Sequence, residues 1–179
     1  MNHLTYRVCS LADFKRTAKS LRATHVVSLL DPHATFPAIP SRARNQHLCL
    51  NMHDLDGVDD GSMPGNPHPH HMDKILTFAR NLNQDDRIVF HCMAGKRRSA
   101  AAALTCDIAF LLAQGAPPDA GTVACAFQHL RALRPQADPN RALLELADKG
   151  LGVNGALANL DIPPRTLDLS DDDYRDFGV

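Results

Sequence analysis

The nine residues His91-Cys92-Met93-Ala94-Gly95-Lys96-Arg97-Arg98-Ser99 set a thiol, three cations and a hydroxyl between an apolar strand and an Ala-rich helix. A thiol at that place lies at a helix N-terminus, where unpaired backbone N–H groups and the positive end of the helix dipole favour negative charge. The same features stabilise a thiolate and hold an anion. Gly95 allows the φ values that let the loop curl its amides inward. Arg98, six residues after Cys92, can return to the loop mouth and offer a planar fork of donors to two phosphate oxygens. Ser99, in the first helical turn, can reach back to the sulfur and steady the thiolate as it leaves. His91 is expected to be a buried, hydrogen-bonded orienter, with Met93, Ala94, Gly95, Lys96 and Arg97 as the substrate-binding wall. Together these residues describe an enclosed site for a tetrahedral dianion with a nucleophile at its floor.

Elements on both sides must hold that loop in place. Leu4 to Cys9 reads as a short strand and Leu11 to Leu21 as a helix with Leu11, Phe14, Ala18 and Leu21 on one face. His25 to Leu30 is an apolar run closed by Asp31-Pro32, the pattern of a buried strand ending in a turn. Residues 32–45 read as a loop, and Gln46 to His53 alternates polar and apolar residues as a half-buried strand does. Asp54 to Pro69, sixteen residues rich in Asp, Gly and Pro, is an irregular loop of functional length. Helices are expected over 70–82, 99–113, 118–133 and 139–149, and a strand over 87–90. The fold class that follows is α/β: a central, mostly parallel sheet of four to five strands flanked by helices, with a helical C-terminal half.

Length and composition bound the function. With 179 residues, 44% hydrophobic and 22% charged, the chain suits one globular domain. Its formal charge of −1 gives no net basic field for nucleic acid. Six Asp and two Arg in 152–179 make that stretch −4 and leave 1–151 at +3, a mildly basic body suited to an anionic substrate. Residues 1–151 are expected to form the catalytic domain, and 152–179 an acidic tail, extended or packed on the body. No apolar run of membrane-spanning length occurs, and MNHLTYRVCSLADFKRT lacks a signal-peptide core. The five cysteines are odd in number and irregularly spaced, which fits free thiols in a reducing, cytoplasmic setting. Cys9, Cys49, Cys106 and Cys125 sit in apolar patterns and are expected in the core.

The run from His91 to Ser99 matches HCxxGxxR[ST], and so resembles the signature of cysteine-dependent protein tyrosine phosphatases. Leu130 to Asn140, LRALRPQADPN, is similar to the R-P-x-x-x-P-N segment of the dual-specificity branch, and ATHVVSLL at 23–30 to the strand that opens those domains. The resemblance covers about residues 4 to 149 and implies a phosphatase fold and a phosphocysteine intermediate without metal or cofactor. It also implies a phosphorylated protein or small phosphorylated molecule as substrate, and an Asp acid that ends a strand and opens a mobile loop. That acid stands about thirty residues before the cysteine in the branch. Asp54 ends the alternating strand but lies thirty-eight residues ahead, with Asp56, Asp59 and Asp60 at thirty-six, thirty-three and thirty-two. Strand position favours Asp54 and spacing favours the last two.

Other readings stand beside this one. The C-x-A-G-K-x-R form of the loop is similar to that of inositol-lipid phosphatases, where added positive charge suits multiply phosphorylated rings, although Met93 departs from their pattern. Lys96 and Arg97 could equally be solvated. A silent phosphate-binding module would keep Arg98 and the amide nest but lack a usable acid. A rhodanese-type sulfurtransferase would read Cys92 to Arg97 as a tighter loop. The run Pro67-His-Pro-His-His71 has irregular spacing and no Cys or Glu partner nearby, and is expected to be a polar helix N-terminus rather than a metal site.

Overall fold

Every residue of the strand His25–Leu30 is buried, and the sheet around it explains why. The computed structural model describes residues 2–44, 46–58 and 65–162. Four strands, β1 (Thr5–Ser10), β2 (His25–Leu30), β3 (His47–Asn51) and β4 (Arg87–Cys92), form one sheet in the order β1-β4-β2-β3. All three pairings are parallel. Parallel strands need cover on both faces, and the helices supply it: α1 (Phe14–Leu21), α2 (Pro69–Arg80), α3 (Arg98–Ala113), α4 (Ala120–Leu133) and α5 (Arg141–Leu151).

Side-chain alternation along β4 divides the two layers. Ile88, Phe90 and Cys92 join the large core that includes α2, α3, α4 and α5 residues, whereas Val89 joins the small core of Phe14 and Ala18 from α1. The nucleophile candidate therefore faces the thick layer. Ala100 to Ala103 are all fully buried, and these small side chains let α3 pack close to its neighbours.

The expected elements and the observed ones differ at their ends. The first helix starts at Phe14 rather than Leu11, and the Leu11 amide donates to Met93 O at 3.1 Å in the turn after β4. Strand β4 runs on through Cys92. Cys9 and Cys106 are buried as expected, Cys125 is half-buried, and Cys49 is exposed. The last is a correction: Leu50 faces inward on edge strand β3, so Cys49 beside it faces out.

Residues 152–162, expected to begin the tail, pack on the body. Asp148 accepts hydrogen bonds from the Gly155, Leu157 and Ala158 amides at 2.8, 2.8 and 3.2 Å. Val153, Leu157 and Ile162 join the large core. Residues 163–179, with most of the Asp run, lie outside the described residues.

Candidate active site

Parallel pairing brings the C-terminal ends of the strands to one edge, with Ser10 opposite Cys92. The chain then turns directly into α3, and the turn wraps around the Cys92 sulfur. Ser99 Oγ stands 3.1 Å from Sγ, and the Gly95 amide donates to it at 3.2 Å. Arg134 takes the Ala94 and Gly95 carbonyls at 3.3 and 3.0 Å, and the Asp138 amide takes the Lys96 carbonyl at 3.0 Å. In a trans peptide the C=O and N–H point opposite ways. With the Ala94 carbonyl held by Arg134, the Gly95 amide turns the other way, onto the sulfur. Gly95 has φ of +67°, and a Cβ there would overlap the Cys9 backbone, so glycine is required twice over.

Arg98 is 2% exposed. Its two terminal nitrogens donate to the Asp31 carboxylate at 3.1 and 3.2 Å, and Nη1 also donates to Met52 O at 2.6 Å. Arg98 Nε has no hydrogen-bond partner among the described residues and lies 3.7 Å from Asp54 Oδ2. A buried guanidinium N–H without an acceptor is costly, and a bound anion within its reach would supply one. The expected two-oxygen grip on phosphate requires Asp31 to yield one terminal nitrogen.

Asp54 sits beside this arginine, with Oδ1 accepting from Arg97 Nε at 3.2 Å and from Asn140 Nδ2 at 2.9 Å. Asp56 accepts from Arg97 Nη2 and from the Arg141 amide. Arg97 also reaches Asp138 at 3.3 Å. Burial, the largest single cause, works to lower its pKa, but the three carboxylates that share its charge together outweigh it and raise the pKa. Lys96, expected as wall or solvated, is buried, and Met93 is exposed at the mouth. Asp59 and Asp60 lie outside the described residues.

His91 is fully buried on the opposite face of β4 from Cys92, its ring 4.5 Å from that of Phe14. Its Nε2 pairs with Ser28 Oγ at 2.6 Å, and Ser28 also meets His47 Nε2 at 2.8 Å. Burial, with a smaller push from His47, lowers the His91 pKa to about 4, so the ring is neutral at pH 7. The 67–71 run starts α2: the His68 ring accepts from the His70 amide and His71 Nδ1 from the His68 amide, a capping box. A cavity of about 460 Å³ beside α1, lined by Phe14, Lys19 and Arg42 among others, contains none of the residues from His91 to Ser99.

Sequence reasoning missed Asp31, Asn140 and Arg134 as parts of the site. Asp31 had a signal in its position after a buried strand that pairs with both β4 and β3, since such strand ends border the binding crevice of parallel sheets.

No family model matches the chain, and no curated protein matches it in sequence. Solved structures do match. The chain is similar to human DUSP28 at 17% identity and TM-score 0.56, covering 82% of this chain and 91% of that one. It is similar to OH1 from the Orf virus, described as a tyrosine phosphatase with triple substrate specificity, at 15% identity and TM-score 0.56, covering 82% of each. PTPMT1 in complex with PI(5)P matches at 15% identity and TM-score 0.54, covering 83% of this chain and 90% of that one. With a parallel four-stranded sheet, five helices and these neighbours, the chain has the fold of the dual-specificity-like cysteine-dependent phosphatases.

Proposed function

We propose that the protein is a phosphomonoester hydrolase that works through a phosphocysteine intermediate. The observation that carries this reading is the Cys92 sulfur met by the Gly95 amide and the Ser99 hydroxyl, with the buried Nε of Arg98, in the first turn of the same helix, left without a partner among the described residues. The Cys92 thiolate attacks phosphorus, the S–P bond forms as the ester P–O bond breaks, and Asp54 gives its proton to the leaving oxygen. Water then attacks phosphorus, Asp54 takes the water's proton, and the S–P bond breaks to return thiolate and release orthophosphate. The Ser99 hydroxyl donates to the departing sulfur. The loop amides and Arg98 hold the three equatorial oxygens where charge spreads in transfer. No step calls on a metal or cofactor.

A protein phosphotyrosine or phosphoserine/threonine, or a small phosphomonoester, is the substrate this reading favours. Arg97 is paired with Asp54, Asp56 and Asp138, so the charge that would attract a multiply phosphorylated inositol ring is already neutralised. Exposed Leu55 and Met93, next in sequence to Asp54 and Cys92, offer apolar surface for a substrate side chain. Five free cysteines suit a reducing compartment such as the cytoplasm. Among the described residues no helix is long and apolar enough to cross a membrane.

One observation favours a second reading, a phosphate-binding module without turnover: Asp54 is held by Arg97 and Asn140 and must loosen to approach a leaving oxygen. Phosphate release from phosphotyrosine, phosphoserine and inositol phosphate substrates, measured for the parent and Cys92→Ser, decides. Release that Cys92→Ser abolishes, with phosphocysteine mapped after acid quench, supports the hydrolase. Vanadate binding without any release supports the module.

A further inference from the structure

A thiol, an imidazole and a carboxylate stand in line at the other end of the sheet from Cys92. The carboxylate is Asp107 on α3, fully buried. Its Oδ1 accepts from the Leu4 amide at 2.9 Å, and its Oδ2 meets His3 Nδ1 at 2.8 Å and His129 Nδ1 at 3.0 Å. An ionised carboxylate has only acceptors, so each imidazole turns an Nδ1–H to it. That fixes the tautomer of neutral His3 and leaves its Nε2 lone pair facing away from Asp107. Cys125 Sγ lies 3.6 Å from that Nε2, within hydrogen-bond reach for sulfur. A thiol on one imidazole nitrogen, with the other nitrogen held by a buried carboxylate, is the nucleophile, base and orienter arrangement of activated cysteines. The main chain holds His3 for this role: Gln114 Nε2 donates to Asn2 O at 2.9 Å and Gln84 Nε2 to His3 O at 3.4 Å.

We propose that Cys125 is a modification site, a second reactive thiol that exchanges with small-molecule disulfides, with His3 as its base and Asp107 as the group that orients the base. The Sγ proton passes to His3 Nε2 and the thiolate attacks one sulfur of the disulfide. The new S–S bond to Cys125 forms as the reagent's own S–S bond breaks, and the leaving thiolate takes the proton from His3 and departs as a free thiol. Cys125 is thereby oxidised to a mixed disulfide and half of the reagent is reduced. Asp107 stays ionised and steadies the imidazolium between the two transfers. Cys125 is half-buried and the His3 side chain 23% exposed, so a small reagent can reach the sulfur from solvent. The other titratable groups at this end are His129, which shares Oδ2, and buried Tyr6, edge-on to His129 at 5.2 Å. A staple of two histidines on one aspartate accounts for the Nδ1 contacts and not for a thiol at the outward nitrogen. His3 precedes β1, whose far end pairs with Cys92, so the two thiols act at opposite ends of a strand roughly 20 Å long.

Cys49 supplies the comparison. It is exposed, and His47 lies 3.3 Å from its sulfur, but His47 Nε2 meets the Ser28 hydroxyl and no carboxylate pairs with that ring among the described residues. Accessibility alone ranks Cys49 first, and activation ranks Cys125 first. The test uses the full chain with Cys92→Ser, which removes the competing thiol, and the neutral probe hydroxyethyl disulfide, with the mixed disulfides timed and mapped by mass. Cys125 is expected to react first. His3→Gln should slow Cys125 at least about 10-fold and leave Cys49 unchanged. Mere loosening of the N-terminal segment would uncover the thiol and speed it instead. His129→Gln, which removes the other imidazole on Asp107, should keep the parent order. Reaction at Cys49 ahead of Cys125, a Cys125 rate that His3→Gln leaves unchanged or raises, or an equal slowing by His129→Gln overturns the proposal.

Discussion

Asp31 holds both terminal nitrogens of Arg98, at 3.1 and 3.2 Å, from the end of the strand beside the one that carries Cys92. The pairing orients the guanidinium, so under the proposed function Asp31 acts as a positioning residue. Asp31→Asn keeps the shape and halves the grip, and a misplaced catalytic group can cost up to about 10²-fold. We expect a fall of about 10-fold or more in kcat/KM carried mainly by kcat, with vanadate affinity reduced. Unchanged kinetics would make the contact a surface ion pair of no consequence.

Arg98→Lys removes the planar fork and replaces it with a point charge. A loss of at least about 10²-fold in kcat/KM is expected, or roughly 2.7 kcal/mol of transition-state stabilisation. Steady-state assays on one substrate suffice, and a loss below about threefold would mean that the buried Nε does not meet the phosphate.

Gly95→Ala puts a Cβ into the Cys9 backbone at a φ of +67°. The loop must shift, and its amide leaves the sulfur. Activity should be lost while the melting temperature falls only modestly, because the loop is one turn at the sheet edge. Retained activity would show that the Gly95 amide is dispensable.

The acid assignment is tested by leaving groups. Asp54→Asn should cut kcat strongly on an alkyl or phenyl phosphate and little on an aryl phosphate whose phenoxide is already stable. Asp56→Asn, Asp59→Asn and Asp60→Asn, made in parallel, should keep the parent's pattern. If one of them takes the pattern instead, Arg97 and Asn140 hold Asp54 as structure and not as the acid.

Acid sensitivity should trace to buried imidazoles. His91 and His71 are both held near 4, chiefly by burial, against about 6.5 when unfolded. Between those values the unfolded chain binds more protons, so stability is full above about pH 6.5, falls as pH drops toward 4 and then levels. His91 alone accounts for up to about 3 kcal/mol across that window. Urea unfolding at pH 7, 6 and 5 should show the decline, with a shallower slope in His91→Gln. A parent midpoint that does not move over that range contradicts it.

The loop after β4 was legible because its contacts are local: the Gly95 amide and the Ser99 hydroxyl, three and seven residues on, both meet the Cys92 sulfur. The four parallel strands were legible from apolar runs and alternation. Alternation at QHLCLNMH also places Cys49 opposite Leu48 and Leu50, and weighing that pattern above apolar context would have put it outside. What stayed hidden is pairing across the fold. Asp31 read as a turn residue, and Arg97 as a substrate-binding or solvated cation, because periodicity says which face a residue takes and not which distant side chain meets it there. Cys125 and His129 show the same limit, since their partners come from residues more than a hundred and about twenty positions away.

The fastening of Asp54 has a consequence for how the chain matures. Asp54 meets Arg97 forty-three residues later and Asn140 eighty-six residues later. Contacts at such separation form late, after the loops between them have closed. During synthesis from the N-terminus, Cys92 and Arg98 emerge well before Arg134 and Asn140, which hold the loop carbonyls and Asp54. A nascent chain ending before Arg134 would carry Cys92 without the 134–140 brace. The loop around Cys92 is therefore completed only with the last helices, and in the interval it stands without the side chains that brace it.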